Sequence, residues 1–453
     1  MLTYELKKSP GVPLYEALYR CIRGDILCGK LKSGDKLPSK RALAENLEIS
    51  KITVETAYNQ LLAEGYIRSQ EKVGYFVEAV ERAAPAAPAS KPQGSETPAP
   101  GLDLTANGTE QFPFSIWSKL QREVMLDYGE KLLLPLHNQG IPELRQAIAA
   151  HLAAFRGMTV EPENILIGAG TDFLYNLLIQ LLGREKIYAV EEPGYGKIRK
   201  IYAAGGVKCL SATMDSRGVR PDGLTGADIL HISPSHHFPT GIVTPVSRRQ
   251  ELLAWAKEGE RWIIEDDYDT EFRFDAHPKP AMQSLDGSRV IYMNSFSKTL
   301  APSIRISYMV LPRDLMATFQ EKLGFYSCTV PSFEQYTLAR FLDRGYFEKH
   351  INRMRKFYKN RRNRVVSALE NCVFSDKLTI LEQDAGLHFL LQVDTQLSDR
   401  ELIARLEQAG IRIHALSSYY HDRSEDLHCL VVNYSGLKEE ALEEALVTAS
   451  DVM

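Results

Sequence analysis

Between Glu81 and Gly101 the chain runs from Ala83-Ala84-Pro85 to Pro98-Ala99-Pro100 with almost nothing to bury and little helical or strand patterning. A segment this rich in alanine and proline is a linker, held partly extended by its prolines. At roughly 3 Å per residue it reaches tens of ångströms, so the parts on either side fold and move independently. The 453 residues therefore divide into a head, residues 1–80, the linker, residues 81–101, and a body, residues 102–453. Length agrees, since a chain of this size outgrows one compact core. No internal repeat is visible.

With 25% charged and 44% hydrophobic residues the composition is globular, and a formal net charge of -4 carries no whole-chain sign of nucleic acid. Any basic surface must be local. Cys21, Cys28, Cys209, Cys328, Cys372 and Cys429 form no CxxC pair and no His/Cys cluster at zinc spacing. They read as reduced thiols of a cytoplasmic protein without a metal. Met1 to Gly11 lacks an apolar signal core, and no window approaches the roughly 18 apolar residues of a membrane span.

In the head, Leu14, Leu18, Ile22 and Ile26 recur at helical spacing until Gly29 stops the helix. After the turn Lys32-Ser33-Gly34-Asp35, Pro38-Ser39 opens a short helix carrying Leu43, Ala44 and Leu47, and Ser50 caps a second. Two short helices joined by a tight turn make a helix-turn-helix pattern. The second helix is expected to bury Val54, Ala57, Leu61 and Leu62, leaving Lys51, Thr53, Thr56 and Asn59 as candidate groove readers. Gly65-Tyr66-Ile67 and Gly74-Tyr75-Phe76-Val77 read as short strands around Ser69-Gln70-Glu71-Lys72, a wing suited to phosphate or the minor groove. On charge alone, a small helical domain with a solvated face fits equally well.

The run Leu37-Pro38-Ser39-Lys40-Arg41-x-Leu43-Ala44, followed by Ser50-Lys51-x-Thr53-Val54-x-x-Ala57-Tyr58-x-x-Leu61-x-x-Glu64-Gly65-Tyr66, resembles the winged helix-turn-helix of GntR regulators. The resemblance covers most of residues 11–78 and implies an α+β domain that binds double-stranded operator DNA. It implies contacts from Ser39, Arg41, Lys51 and Thr53, with Lys72 and Gly74 on the wing. Lys51 stands where an arginine is more usual, which favours a phosphate contact over a bidentate guanine contact.

The body alternates strand-like runs with helical segments. Ile165-Leu166-Ile167 leads into Gly168-Ala169-Gly170-Thr171-Asp172 and an apolar helix, a helix start that backbone N–H groups can offer to a phosphate. By itself such a turn is more often an ordinary strand-to-helix connection. Trp262-Ile263-Ile264-Glu265-Asp266-Asp267-Tyr268 reads as a buried strand with carboxylates at its C-terminal edge, where open α/β sheets place ligands. One buried carboxylate would keep a pyridine nitrogen protonated; a magnesium site is the other use of such a cluster, and nothing else in the sequence supports it. Val290-Ile291-Tyr292-Met293 is a further strand, running into Asn294-Ser295-Phe296-Ser297-Lys298 and on to Arg305. Read bare, Lys298 is a surface lysine. The hydroxyls beside it and the arginine seven residues on add a phosphate pocket next to an imine-forming amine.

Residues 102–453 resemble the fold-type-I aminotransferases, which are α/β proteins. The resemblance rests on Gly140-x-Pro142-Glu143-Leu144-Arg145, Gly168-x-Gly170-Thr171, Glu192-Pro193-Gly194-Tyr195, Pro239-Thr240-Gly241, Asp266-x-Tyr268, Ser295-x-Ser297-Lys298 with Arg305, Met354-Arg355-x-x-Tyr358-x-x-Arg361-Arg362, and Gly386-Leu387-His388. It implies pyridoxal 5'-phosphate as cofactor, held as a Schiff base by Lys298. Tyr195 would stack on the ring, Asp266 pair with the pyridine nitrogen, and Tyr268 hold the phenolic oxygen. Gly170, Thr171, Ser295, Ser297 and Arg305 would surround the phosphate. Head and body together resemble the MocR/GabR subfamily of transcriptional regulators. That resemblance implies a homodimer that binds DNA and senses a small molecule, an amine, an amino compound or pyridoxal phosphate itself. The competing expectation is a working aminotransferase with a DNA-binding head.

Several positions depart from the enzyme pattern. Pro135-Leu136-His137-Asn138 lacks the tyrosine that reaches a neighbouring subunit's phosphate, Phe238 replaces an asparagine, and Ser307 stands where Arg-x-Gly is expected. Val431 stands about where aminotransferases offer an arginine to the substrate carboxylate. Without that guanidinium an amino acid loses its bidentate anchor. Lys197, two residues past Tyr195, is the candidate for binding the effector's anionic group.

Overall fold

The computed structural model describes residues 4, 13–71, 73–79, 101–106, 108, 111–274, 279–382, 385–422, 425–437 and 440–449. Two compact units result, Met1–Thr97 and Pro98–Met453. Of the expected linker only Gly101 falls within the described residues, and Lys72 of the wing falls outside them.

In the first unit, helices α1 (Leu14–Leu27), α2 (Lys40–Asn46) and α3 (Lys51–Ala63) accompany a three-stranded antiparallel sheet. Its strands are β1 (Lys36–Leu37), β2 (Ile67–Gln70) and β3 (Gly74–Val77), with β3 central. Ser39 and Ser50 start α2 and α3: each hydroxyl oxygen accepts from a backbone N–H three residues on, Ala42 and Thr53, at 3.1 Å. These bonds satisfy donors that every helix start leaves orphaned. Leu18, Ile22, Leu43, Val54, Ala57, Tyr58 and Leu61 close the core. Tyr58, which the periodicity did not assign to the core, is fully buried, while Leu62, which it did, is only partly so. A phenol goes inside when its O–H has a partner, and Tyr58 donates to the Pro38 carbonyl at 3.0 Å. The two-residue β1 carries no periodic signal; pairing with β3 creates it, Lys36 opposite Phe76.

The second unit opens with β4 (Leu102–Asp103), α4 (Phe114–Tyr128) and α5 (Pro142–Arg156), then alternates strand and helix. In order come β5 (Ile165–Gly168), α6 (Thr171–Leu182), β6 (Ile187–Glu192), α7 (Gly196–Ala204), β7 (Lys208–Asp215), β8 (Gly218–Val219) and β9 (Ile229–Ile232). They are followed by α8 (Val246–Glu258), β10 (Trp262–Asp266), the one-turn α9 (Met282–Leu285), β11 (Val290–Ser295) and β12 (Ser307–Val310). These strands form an eight-stranded sheet in the order β5-β12-β11-β10-β9-β6-β7-β8. From β11 through β7 neighbours run parallel, while β12 is antiparallel to both β11 and β5. Both faces are covered, which is why the central strands read as unbroken apolar runs. Ile264, Ile291 and Met293 join the cluster beneath α6, and Ile263 and Val290 the opposite one beside Leu252 of α8.

After helices α10 (Arg313–Leu323), α11 (Ser332–Asp343) and α12 (Tyr346–Glu370), a four-stranded antiparallel sheet follows. Two of its strands, His388–Val393 and Cys429–Asn433, pair so that Leu390 faces Val431. Among the described residues no helix is long and apolar enough to cross a membrane.

Candidate functional site

The parallel strands of the large sheet all deliver their chemistry at their carboxyl ends. β5 stops at Gly168 and turns through Gly170 into α6, β10 ends at Asp266, β11 at Ser295, β6 at Glu192, and β9 just before the Ser235-His236-His237 run. Lys298, Asp266, Tyr268, Ser295, Ser297, Gly170, Thr171 and Arg305 thus gather on one edge.

Gly170 has φ +90, and a Cβ there would lie 2.2 Å from Nη2 of Arg305. Glycine therefore lets the guanidinium close over the start of α6, where Arg305 donates to the Ala169 carbonyl at 3.2 Å. Across from it the Ser295 hydroxyl donates to Ser297 Oγ at 2.9 Å and accepts the Ser297 N–H at 3.1 Å. Hydroxyls, a guanidinium and the amino end of a twelve-residue helix make an anion cup. Lys197 belongs to the same corner: its ammonium pairs with Asp172 at 2.7 Å, and Arg305 reaches that carboxylate at 3.5 Å.

Asp266 is 5% exposed. The Tyr175 hydroxyl donates to its Oδ2, His231 Nε2 lies 3.6 Å from the same oxygen, and His231 Nδ1 is 2.7 Å from the Tyr202 hydroxyl. Oδ1 is buried with no partner. A carboxylate with one oxygen anchored and the other bare has a place for a cationic N–H. Burial and the Asp266 charge push the Tyr175 phenol well above its ordinary range, so it stays a donor. Tyr268 is likewise pushed up, by burial first and then by Asp269.

Lys298 is partly buried. Loss of water lowers its ammonium's pKa, and Asp269 opposes the shift. Lowering favours the neutral amine, the form able to attack a carbonyl. Three imidazoles gather nearby. His236 Nδ1 is 2.8 Å from Asp269 Oδ2 and 3.4 Å from the Tyr268 hydroxyl. The His388 ring lies 4.6 Å from that of His236 and is held neutral by burial. His237 is pushed down to about 3, again mainly by burial. Gly386, at φ +71, would put a Cβ 1.8 Å from the His236 ring, so the Gly386-Leu387-His388 run is spaced by that imidazole. Tyr195 is 51% exposed and meets Phe238 edge-on at 5.9 Å. Phe238 and Tyr419 also pack on the cluster of Leu390, Leu416, Cys429 and Val431, so the wall around Val431 is apolar. No group of carboxylates, histidines and cysteines able to hold a metal occurs among the described residues.

In the first unit Ser39 and Ser50 serve as helix caps, and the Thr53 hydroxyl lies 2.8 Å from Ser50 Oγ. Lys51 is exposed, Arg41 is 87% exposed beside Glu45 at 3.8 Å, and Gly74 opens β3 at φ +136. Sequence reasoning overlooked Tyr175, His231, Tyr202 and His236. Tyr175 sits one helical turn beyond Thr171 and His231 follows Leu230 in an apolar strand, positions that periodicity reads as core.

Residues 100–448 match the family model for aminotransferase class I and II, and residues 14–77 that for bacterial regulatory proteins of the gntR family. Over 450 residues the chain is 37% identical to YhdI of Bacillus subtilis, described as an uncharacterized HTH-type transcriptional regulator, covering 97% of this chain and 95% of that one. It is 32% identical to the probable rhizopine catabolism regulatory protein MocR of Rhizobium meliloti, covering 97% and 94%. Identity is 30% to the pyridoxine biosynthesis transcriptional regulator PdxR of Corynebacterium glutamicum, covering 95% and 94%. Among solved structures, the multiple substrate aminotransferase of Thermococcus profundus shares the fold of the second unit, with a TM-score of 0.70 at 22% identity over 78% of this chain and 91% of that one.

Proposed function

The chain belongs to the MocR/GabR subfamily of GntR transcriptional regulators, a winged helix-turn-helix joined to an aminotransferase-class domain, and from that premise we propose that it regulates transcription in response to a small amino compound met at Lys298. Its cofactor is pyridoxal 5'-phosphate. Bound, that group supplies a carbonyl carbon that condenses with amines and a pyridinium ring that withdraws electrons.

The residues fit it. Asp266, with a bare buried Oδ1, holds the proton at the pyridine nitrogen; Tyr268 donates to the phenolic oxygen; Tyr195 covers the ring. Gly170, Thr171, Ser295, Ser297 and Arg305 take the phosphate. Lys298 supplies the amine, kept reactive by its burial. The observation that carries the reading is that bare oxygen of Asp266 on the strand next to the one that leads to Lys298.

The wall of Leu390, Val431, Phe238 and Tyr419 is apolar. This supports an effector gripped by its amino group, or the cofactor acting as effector, over an α-amino acid held by its carboxylate. Lys197 is paired with Asp172 and acts on the phosphate side or on a second anionic group. The regulator works as a cytoplasmic homodimer whose two heads span paired half-sites, with residues 81–101 as the tether between residues 1–80 and 102–453. For the effector to change DNA binding it must prefer one arrangement of the dimer.

Borohydride reduction of cofactor-loaded protein, then peptide mass analysis, tests the cofactor role: the label is expected on Lys298 and lost in Lys298→Ala. Operator binding titrated with cofactor alone and with amines tests the regulatory role. Multiple turnovers of an amino acid with a keto acid would show an aminotransferase instead.

A further inference from the structure

Val54, Ala57, Tyr58 and Leu61 turn α3 toward the core of the head. At about 100° per residue the opposite stripe consists of Ile52, Thr56, Asn59 and Ala63, all of them exposed. Ile52, the second residue of the helix, is 74% exposed. A β-branched aliphatic side chain there adds nothing to the core and is a poorer helix former than alanine or an unbranched side chain. Thr56 donates its hydroxyl to the Ile52 carbonyl at 2.9 Å. Its donor is spent inside the helix, so toward the groove the side chain offers its γ-methyl and a hydroxyl oxygen able only to accept. The Thr53 hydroxyl shares a hydrogen bond with Ser50 Oγ at 2.8 Å. The first turns of α3 thus carry aliphatic groups on the exposed residues Ile52 and Thr56, with exposed cations close by in sequence, Lys51 on α3 and Arg41 on α2.

We propose that Ile52 and Thr56 read the C5-methyl groups of thymines in the major groove, so that the operator carries A·T pairs beneath the first turns of α3. The proposal rests on the head binding DNA through α3. In a helix-turn-helix the N-terminal residues of the second helix meet the base edges. The thymine methyl is the apolar mark that the major groove displays, and aliphatic contact is how a side chain recognises it. A cytosine in that place sets an amino donor against an aliphatic chain and leaves it unpaired. Lys51 and Arg41 take phosphates, which position the helix without reading sequence.

The full-length protein is used to select duplexes from a random pool. The recovered site is then remade with deoxyuridine for thymidine one position at a time, a change that deletes only the methyl. Binding is expected to weaken about fourfold for each contacted methyl lost. Ile52→Ala lowers affinity for the thymidine duplex by a similar factor and becomes indifferent to deoxyuridine at one position while staying sensitive at its neighbour. Its melting temperature is expected to match the parent's, because the side chain is in water. Thr56→Ser keeps the internal hydroxyl bond and loses the second sensitivity; Thr56→Val deletes the hydroxyl and keeps it. Equal binding of thymidine and deoxyuridine duplexes by the parent chain, or undiminished sensitivity at every position in Ile52→Ala, overturns the inference while DNA binding stands. Recovery of no duplex overturns DNA binding itself, and the inference with it.

Discussion

The Tyr175 hydroxyl donates to Oδ2 of Asp266 across 91 residues of sequence, and Oδ1 is left bare. One oxygen is thereby fixed and the other is free to meet the cofactor. A buried hydrogen bond to a charged group is worth about 2 kcal/mol. Tyr175→Phe should therefore raise the pyridoxal phosphate dissociation constant about thirtyfold, measured by fluorescence titration. An unchanged constant would mean that the carboxylate is oriented without Tyr175.

Gly170→Ala is expected to damage the phosphate cup from the backbone outward. A positive φ costs a non-glycine residue about 1–3 kcal/mol, and the new methyl would enter the space of the Arg305 guanidinium. Inorganic phosphate should bind about tenfold more weakly, and a competition assay that finds no change counts against the cup.

Arg156 and Asp267 pair at 2.8 Å with side chains 4% and 0% exposed, and the Tyr292 hydroxyl donates to Asp267 at 2.8 Å. Removing the cation leaves a buried carboxylate uncompensated. Arg156→Met should lose about 3–5 kcal/mol in urea unfolding, whereas breaking the solvent-screened pair Arg220–Asp222 should leave the urea midpoint unchanged. Similar losses at both pairs would refute the distinction.

His151 lies between Phe155 and Phe347, at 5.2 and 5.1 Å, and burial pushes it down to about 4. A histidine depressed in the folded state gives stability that is present above its unfolded pKa of about 6.5 and is lost as pH falls through 4. The loss between those values is about 3 kcal/mol. His151→Phe should shift the acid unfolding midpoint to lower pH with little change at pH 8. An acid midpoint at its original pH would assign that instability to other groups.

Much of the site was legible because its parts are local. Ser39 and Ser50 announce helix starts, Gly170 a strand-to-helix turn, and Asp266 and Lys298 each end or follow an apolar strand. Lys197 was legible as a cation and not as the partner of Asp172, because that pair joins two different helices. The short-range bonds of the Thr53 and Thr56 hydroxyls, to Ser50 Oγ and the Ile52 carbonyl, were likewise not legible as such.

By itself the sequence determined the alternation of strand and helix, the caps and the turns, since each depends on residues within a few positions of one another. Only the tertiary structure decided that Tyr175 and His231 would meet on Asp266 and that His236 would rest on Gly386 beside His388. It also made β1 a strand and left Ile52 in water. Those outcomes follow from which strands lie side by side and which helix face is covered, and no local pattern encodes either.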